Sequence, residues 1–214
     1  PGVTVECKTG RYKKDKNIAI QDLPGTYSLS PYTLEEQVTR NYLRETPPDV
    51  LLNIIDATNL ERSLYLTLQL MEFNIPIVIA LNMSDLLEYQ GKQIDIEKLS
   101  YSLGLPVVLT SALKKKGLDE AIRKACQPLE VTPLDYDHRL ESALAEIQTI
   151  CPQAKNRFEQ IKLFEGDSLA SNTLTASQEQ ELDEIVAITE KIMGDDRASI
   201  IVNERYDLIG QIVR

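Results

Sequence analysis

Apolar and polar residues alternate from Val3 to Asp22, and the alternation breaks at KTGRYKKDK. That pattern predicts two antiparallel strands around a polar turn. The rhythm then lengthens: TLEE at 33–36 has the form of a capping box, and Leu34, Val38 and Leu43 follow at roughly helical spacing. PPD at 47–49 should stop that helix. VLLNIID at 50–56 is an almost unbroken apolar run, as expected of a central strand buried on both faces. A helix from about Glu61 to Phe73 then leads into PIVIALN at 76–82, a helix near 95–103 leads into PVVLTSA at 106–112, and GLDEAIRKACQ at 117–127 is again helical. Strands alternating with helices imply right-handed crossovers and a largely parallel sheet.

Past Pro128 the strand signal ends. HRLESALAEIQTICPQAKNRFEQIKLFEG and SQEQELDEIVAITEKIMG are charged, amphipathic and strand-free, which predicts a bundle of about four or five helices from roughly Thr132 onward. PLEVTPLDYD reads as the linker, so an α/β domain is expected over residues 1–130 and a small all-α domain over 131–214. A chain of 214 residues with 43% hydrophobic content suits one main domain with an appendage. The 33 acidic and 23 basic residues give a formal charge of −10, which repels phosphate backbones and anionic lipid, and the basic run LKKKGL at 113–118 is too short to reverse it. No nucleic-acid partner is expected. Cys7, Cys126 and Cys151 share no close spacing, so neither a disulfide framework nor a zinc site is suggested, and His138 has only Asp135 and Asp137 near it and reads as a solvated linker residue. The apolar run IPIVIAL at 75–81 is of strand length, far short of the roughly 20 residues that span a bilayer. Pro1 is not an initiator methionine, and RYDLIGQIVR is still apolar-periodic at Arg214, so the chain is read as a piece of something longer.

In an open parallel sheet, ligands sit outside the carboxyl ends of the strands. Those ends read QDLPG at 21–25, IIDATN at 54–59, LNMSD at 81–85 and TSAL at 110–113. In LNMSD, Asp85 can accept two hydrogen bonds, from N1–H and the exocyclic amine of guanine, a pair that adenine does not offer. Asn82 can tie neighbouring loops together and reach the purine N7 edge, while the backbone N–H groups of Ser111 and Ala112 can donate to O6. Asp22, at a strand's end, can hold Mg²⁺ through a water, and Gly25, without a side chain, lets its N–H approach a γ-phosphate. Thr4 would supply a hydroxyl to the same Mg²⁺ and an N–H to the same phosphate. Thr4 and Gly25 are thus the candidate catalytic residues. Taken singly, Asp-x-Pro-Gly is more often a turn and Asn-x-x-Asp a helix cap; it is their joint order under strand ends that argues for a nucleotide.

The ordered set Thr4, DLPG, NMSD and TSA resembles the second to fifth motifs of a Ras-like GTPase. PGVTVE, DLPGTYSLSPYTLEE, NIIDATNLERSLYLTLQL and Met83 in place of the common lysine narrow the resemblance to the cytosolic GTPase domain of FeoB, the bacterial ferrous-iron transporter. It covers about residues 1–127, and the helical tail ending in NERYDLI is similar in kind to that family's helical domain, which is GDI-like and precedes a membrane part. The resemblance implies a Ras-like P-loop GTPase fold followed by a small all-α domain, GTP/GDP and Mg²⁺ at the site, K⁺ as a further ion, and a C-terminal transmembrane transport domain of the same protein as partner. It also implies a place at the cytoplasmic face of the bacterial inner membrane. Self-association is left open.

Three departures accompany it. No Gly-x-x-x-x-Gly-Lys-Ser/Thr loop occurs in the chain; in the family it lies upstream of PGVTVE, with a first strand and first helix, and it is expected in the natural protein. Met83 keeps an apolar contact to the base and gives up the lysine charge. Thr26 and Tyr27 follow the DLPG motif where Ras-like enzymes place a water-orienting glutamine, so slow hydrolysis is expected. Two rival readings follow: a nucleotide-sensing module with negligible hydrolysis, and a soluble translation or ribosome-assembly GTPase, which shares the motif set.

Overall fold

The computed structural model describes residues 7–30, 32–167, 170 and 174–214. The described residues up to Asp49 form one compact unit, and Val50–Arg214 form another. In the first, β1 (Lys8–Arg11) and β2 (Ala19–Asp22) pair antiparallel, with Lys8 opposite Asp22 and Arg11 opposite Ala19, as the alternation predicts. The polar turn closes when Tyr12 N–H donates to Ile18 O (3.0 Å) and Asn17 N–H to Asp15 Oδ1 (2.9 Å). The part of the alternation before Cys7 lies outside the described residues.

Helix α1 (Leu34–Glu45) starts at a full capping box: Thr33 Oγ1 accepts from Glu36 N–H (3.3 Å) and Glu36 Oε2 accepts from Thr33 N–H (3.1 Å). Thr46 ends it and Pro47 follows. The buried side is not the expected one. Leu34 is 58% exposed, while Thr39, Arg40 and Leu43 are buried. At 3.6 residues per turn, the nine residues from Leu34 to Leu43 rotate them about 180° apart, so the two leucines cannot share a face.

The second unit carries a parallel sheet of order β3-β4-β5. β4 (Ile77–Asn82) is central and buried along Ile77–Leu81, the pattern of a strand covered on both faces. β3 (Leu51–Asp56) alternates instead: Leu51, Asn53 and Ile55 point inward, and Ile54 is 66% exposed. The expectation that 50–56 would be buried on both faces is therefore corrected. β3 is hydrogen-bonded to β4 on one side only among the described residues, and its apolar run packs on one face. β5 (Val107–Leu109) is shorter than its apolar run because Ser111 turns to bridge Lys116. The crossovers are a 3₁₀ turn (Ala57–Asn59) with α2 (Leu60–Met71), then α3 (Ser84–Tyr89) with α4 (Ile96–Leu103), and α5 (Leu118–Ala125) closes the body.

Beyond an extended stretch at 128–137 come α6 (His138–Ile150), α7 (Arg157–Glu165), α8 (Ala176–Met193) and α9 (Arg197–Ile212). Each begins at a side-chain cap, from Asp137, Asn156, Thr175 and Asp196. They share a core that includes Leu140, Leu144, Ile147, Phe164, Val186 and Ile201. His138 is the first residue of α6 rather than a linker residue, and its side chain is solvated. This helical core abuts the sheet body. Phe73 stacks on Phe158 with ring centroids 4.2 Å apart, Phe158 N–H donates to Glu72 O (2.9 Å), and Thr132 Oγ1 donates to Gly104 O (2.7 Å).

Candidate functional site

The carboxyl ends of β4 and β5 meet through side chains. Asn82, the last residue of β4, accepts Ala112 N–H at Oδ1 (3.0 Å) and faces Thr110 Oγ1 at 3.5 Å. Asp85, in the first turn of α3, accepts the Ser111 hydroxyl at 2.6 Å. That hydroxyl also accepts Lys114 N–H (3.2 Å), so one serine ties the carboxylate to the turn of the following loop. The Ser111 hydrogen bond, helped by a backbone N–H and by Lys114, outweighs partial burial and holds the Asp85 carboxyl below its ordinary value. Asp85 is therefore an ionised acceptor, half-exposed at the rim of the sheet.

Met83 sits between them with φ +65°, a left-handed backbone uncommon outside glycine, and its side chain is 41% exposed. It offers an apolar surface beside the carboxylate. The loop that carries Ser111 and Ala112 is closed by a pair of bonds, Ser111 N–H to Lys116 O (3.1 Å) and Lys116 N–H to Ser111 O (3.0 Å). Gly117 makes this closure feasible: its φ is +74°, and a Cβ there would lie 2.2 Å from Leu109 O. The N–H groups of Ser111 and Ala112 are both engaged inside the protein, so donation to a base O6 requires the Ala112–Asn82 bond to yield or be shared.

Asp22 and Gly25 belong to the first unit. Asp22 ends β2 with an exposed carboxylate. Gly25 has open space where a Cβ would stand, so packing among the described residues does not demand a glycine here. The DLPG turn is fastened to α1: Thr39 Oγ1 donates to Pro24 O (3.3 Å), and Ser28 Oγ donates to Glu36 Oε1 (2.8 Å). Thr26 Oγ1 donates to Ser28 O (2.6 Å), which turns this hydroxyl into the loop's own backbone. Thr4 lies outside the described residues.

The structure thus brings Asn82, Met83, Asp85, Ser111 and Ala112 to one rim. Motif order gives Ser111 only a backbone role, whereas its hydroxyl is what holds Asp85; the available signal is a hydroxyl residue just past the end of β5. Asp56 stands at the neighbouring strand end. It ends β3 in register with Asn82, and its Oδ1 accepts Thr58 N–H (2.8 Å) and the Thr58 hydroxyl (2.7 Å).

The chain matches the family model described as "Ferrous iron transport protein B" over residues 1–125 and that of the "FeoB cytosolic helical domain" over residues 136–214. It belongs to the FeoB family. It is 36% identical over 224 residues to the Fe(2+) transporter FeoB of Escherichia coli K12, covering 99% of this chain and 29% of that protein. It is 38% identical over 240 residues to the Fe(2+) transport protein A/Fe(2+) transporter FeoB fusion protein of Porphyromonas gingivalis W83, covering 97% of this chain and 27% of that one. The chain thus spans under a third of these relatives. The crystal structure of NFeoB from S. thermophilus bound to GDP.AlF4- and K+ superposes with a TM-score of 0.95 at 49% identity, over 100% of this chain and 87% of that one. The fold is accordingly the Ras-like one of FeoB GTPase domains, followed by the family's helical domain. Among the described residues no helix is long and apolar enough to cross a membrane.

Proposed function

We propose that this FeoB chain is the guanine-nucleotide switch of a ferrous-iron transporter, hydrolysing GTP slowly at the cytoplasmic face of the bacterial inner membrane. The observation that carries the reading is the ionised Asp85, fixed by Ser111 beside Asn82 and the exposed Met83. In this reading Asp85 accepts N1–H and the exocyclic amine of guanine, Asn82 donates toward N7, Met83 covers the ring, and Ala112 approaches O6. Thr4, Asp22 and Gly25 are assigned to the γ-phosphate. A single exposed carboxylate fits Mg²⁺, which usually takes one or two carboxylates and leaves its other positions to phosphate and water; Asp22 would hold it through water and Thr4 through its hydroxyl. Bound there, Mg²⁺ would neutralise charge on the phosphates. A relative of known structure binds K+, and potassium is proposed here as well, with no ligand assigned.

The residues after DLPG favour low turnover. Thr26 spends its hydroxyl on Ser28 O, and no glutamine stands where water would be oriented. The helical domain, residues 131–214, would pass the state of the nucleotide to a transport domain of the same protein. A sensor with negligible hydrolysis is the second reading, favoured by the same missing glutamine; a phosphate-release assay separates the two.

Base recognition is tested by fluorescent-GDP binding to the intact protein and to Asp85→Asn, competed by GDP, ADP and XDP. GDP should compete well and ADP poorly, and the variant should shift toward XDP, whose 2-oxo group needs a donor. Equal competition by ADP and GDP would remove the base-recognition argument.

A further inference from the structure

Glu72 closes α2 with its side chain 0% exposed, and Arg205 meets it from α9 at 1%. Their contact is a fork: Nε to Oε1 at 2.9 Å and Nη2 to Oε2 at 3.0 Å. Tyr136, in the stretch before α6, donates its hydroxyl to the same Oε1 at 2.7 Å. Glu165 of α7 lies 3.4 Å from Arg205 Nη1, and the Arg205 guanidinium lies 5.6 Å from the Tyr65 ring centroid on α2. Arg157, paired with Glu141, lies over the Tyr136 ring, 4.8 Å from its centroid. The cluster therefore draws on α2, α6, α7, α9 and the connecting stretch.

Its location is electrostatically adverse. A carboxylate at a helix C-terminus faces the negative end of the helix dipole, and a buried ion pair is often no more stabilising than an apolar replacement. Burial alone would lower the affinity of Arg205 for its proton, yet the Glu72 carboxylate and its hydrogen bonds hold that guanidinium well above its ordinary value. Burial, reinforced by Glu72, pushes the Tyr136 hydroxyl far above its ordinary value, so it stays a donor. What such a network adds over apolar packing is a single permitted geometry. α2 gives that geometry a use. Its first residue, Leu60, follows the Asp56–Asn59 turn at the ligand-facing end of the sheet, and its last turn, about 18 Å away at 1.5 Å per residue, carries Glu72.

We propose that Glu72, Arg205 and Tyr136 form a latch that makes α2 and the helical region one mechanical part, with no hinge in the stretch between the two domains. Under the switch reading above, this makes α2 the rod between the nucleotide end and the helical region; the latch itself does not depend on that reading and is tested without nucleotide. Hydrogen exchange of the intact chain reads it at three segments, 66–73, 132–137 and 200–208, with 77–82 of β4 as the internal control. In Arg205→Met, exchange should rise at least tenfold in all three segments together while β4 stays protected. Tyr136→Phe, which keeps the ion pair, should give a smaller rise with the same three-segment signature. In Glu72→Gln/Arg205→Met the stranded carboxylate is gone, so overall stability should recover toward wild type while the three segments stay loosened. A rise confined to 200–208 in the single variants overturns the latch, and so does a double variant whose three segments regain full protection. Should Arg205→Met open β4 as well, the Tyr136→Phe and double-variant patterns decide.

Discussion

Ser111 donates its hydroxyl to Asp85 and accepts Lys114 N–H, so Ser111→Ala removes the group that aims the carboxylate while leaving the backbone closure to Lys116 in place. Losing that hydrogen bond to the carboxylate should weaken GDP binding, by roughly tenfold. Titration with fluorescent GDP reads it directly, and an unchanged dissociation constant would show that Asp85 needs no partner. The same bond sets a pH dependence. The Asp85 carboxyl is held below its ordinary value of 3.8, so its contribution is fully present above that value and is lost only as pH falls through the lower, folded value. GDP affinity should then be flat, as far as Asp85 is concerned, between about pH 5 and pH 8, and Ser111→Ala should move the onset of acid loss upward. Gly117 predicts a stability effect at the same loop. With φ +74° and Leu109 O at 2.2 Å from any added Cβ, Gly117→Ala should destabilise the unit by at least about 1–3 kcal/mol and lower its Tm by several degrees in a thermal melt. Asp85 and Asn82 were legible in the sequence because strand-end motifs name residue types. The Ser111 hydroxyl was not, because motif order does not say which of its atoms faces which neighbour.

The elements were legible where a local signal is strong. The capping box at Thr33 and Glu36, the stop at Pro47 and the apolar β4 are properties of a few adjacent residues, and each stands where the pattern placed it. The face of α1 and the coverage of β3 were not, because both depend on what lies across from them: Leu34 turns outward, and Ile54 stays open. α1 matters to the site because Thr39 and Glu36 fasten the DLPG turn. Thr33→Ala removes one half of the box and should cost about 1 kcal/mol of helix stability. Hydrogen exchange across 34–38 should accelerate roughly fivefold, since about 1.4 kcal/mol is a factor of ten. Exchange at 26–30 should follow if α1 holds the turn; if only the helix end frays and the turn stays protected, the coupling between cap and DLPG is absent.

For the molecule as a whole, the repeating βα pattern and the strand-free tail announced two kinds of architecture, yet nothing in the pattern announced how they join. The residues of the joint are far apart in sequence and have no shared periodicity: Glu72 meets Arg205 across 133 positions and Tyr136 across 64. Phe73 and Phe158 add an apolar contact to the polar one, stacked at 4.2 Å with an interplanar angle of 23°. Both rings are buried, so Phe158→Ala removes a large side chain from a packed site and should cost about 3–5 kcal/mol. The position of that loss decides how the sheet and the helices unfold. If Val50–Arg214 is one cooperative unit, the strand β4 and the helix α8 lose protection at the same denaturant concentration, and Phe158→Ala shifts both midpoints equally without broadening either. Residue-resolved exchange along a urea titration measures this. Two separated midpoints in the unaltered chain, or a shift confined to α6–α9 in the variant, would show that the helical region folds on its own and only rests against the sheet.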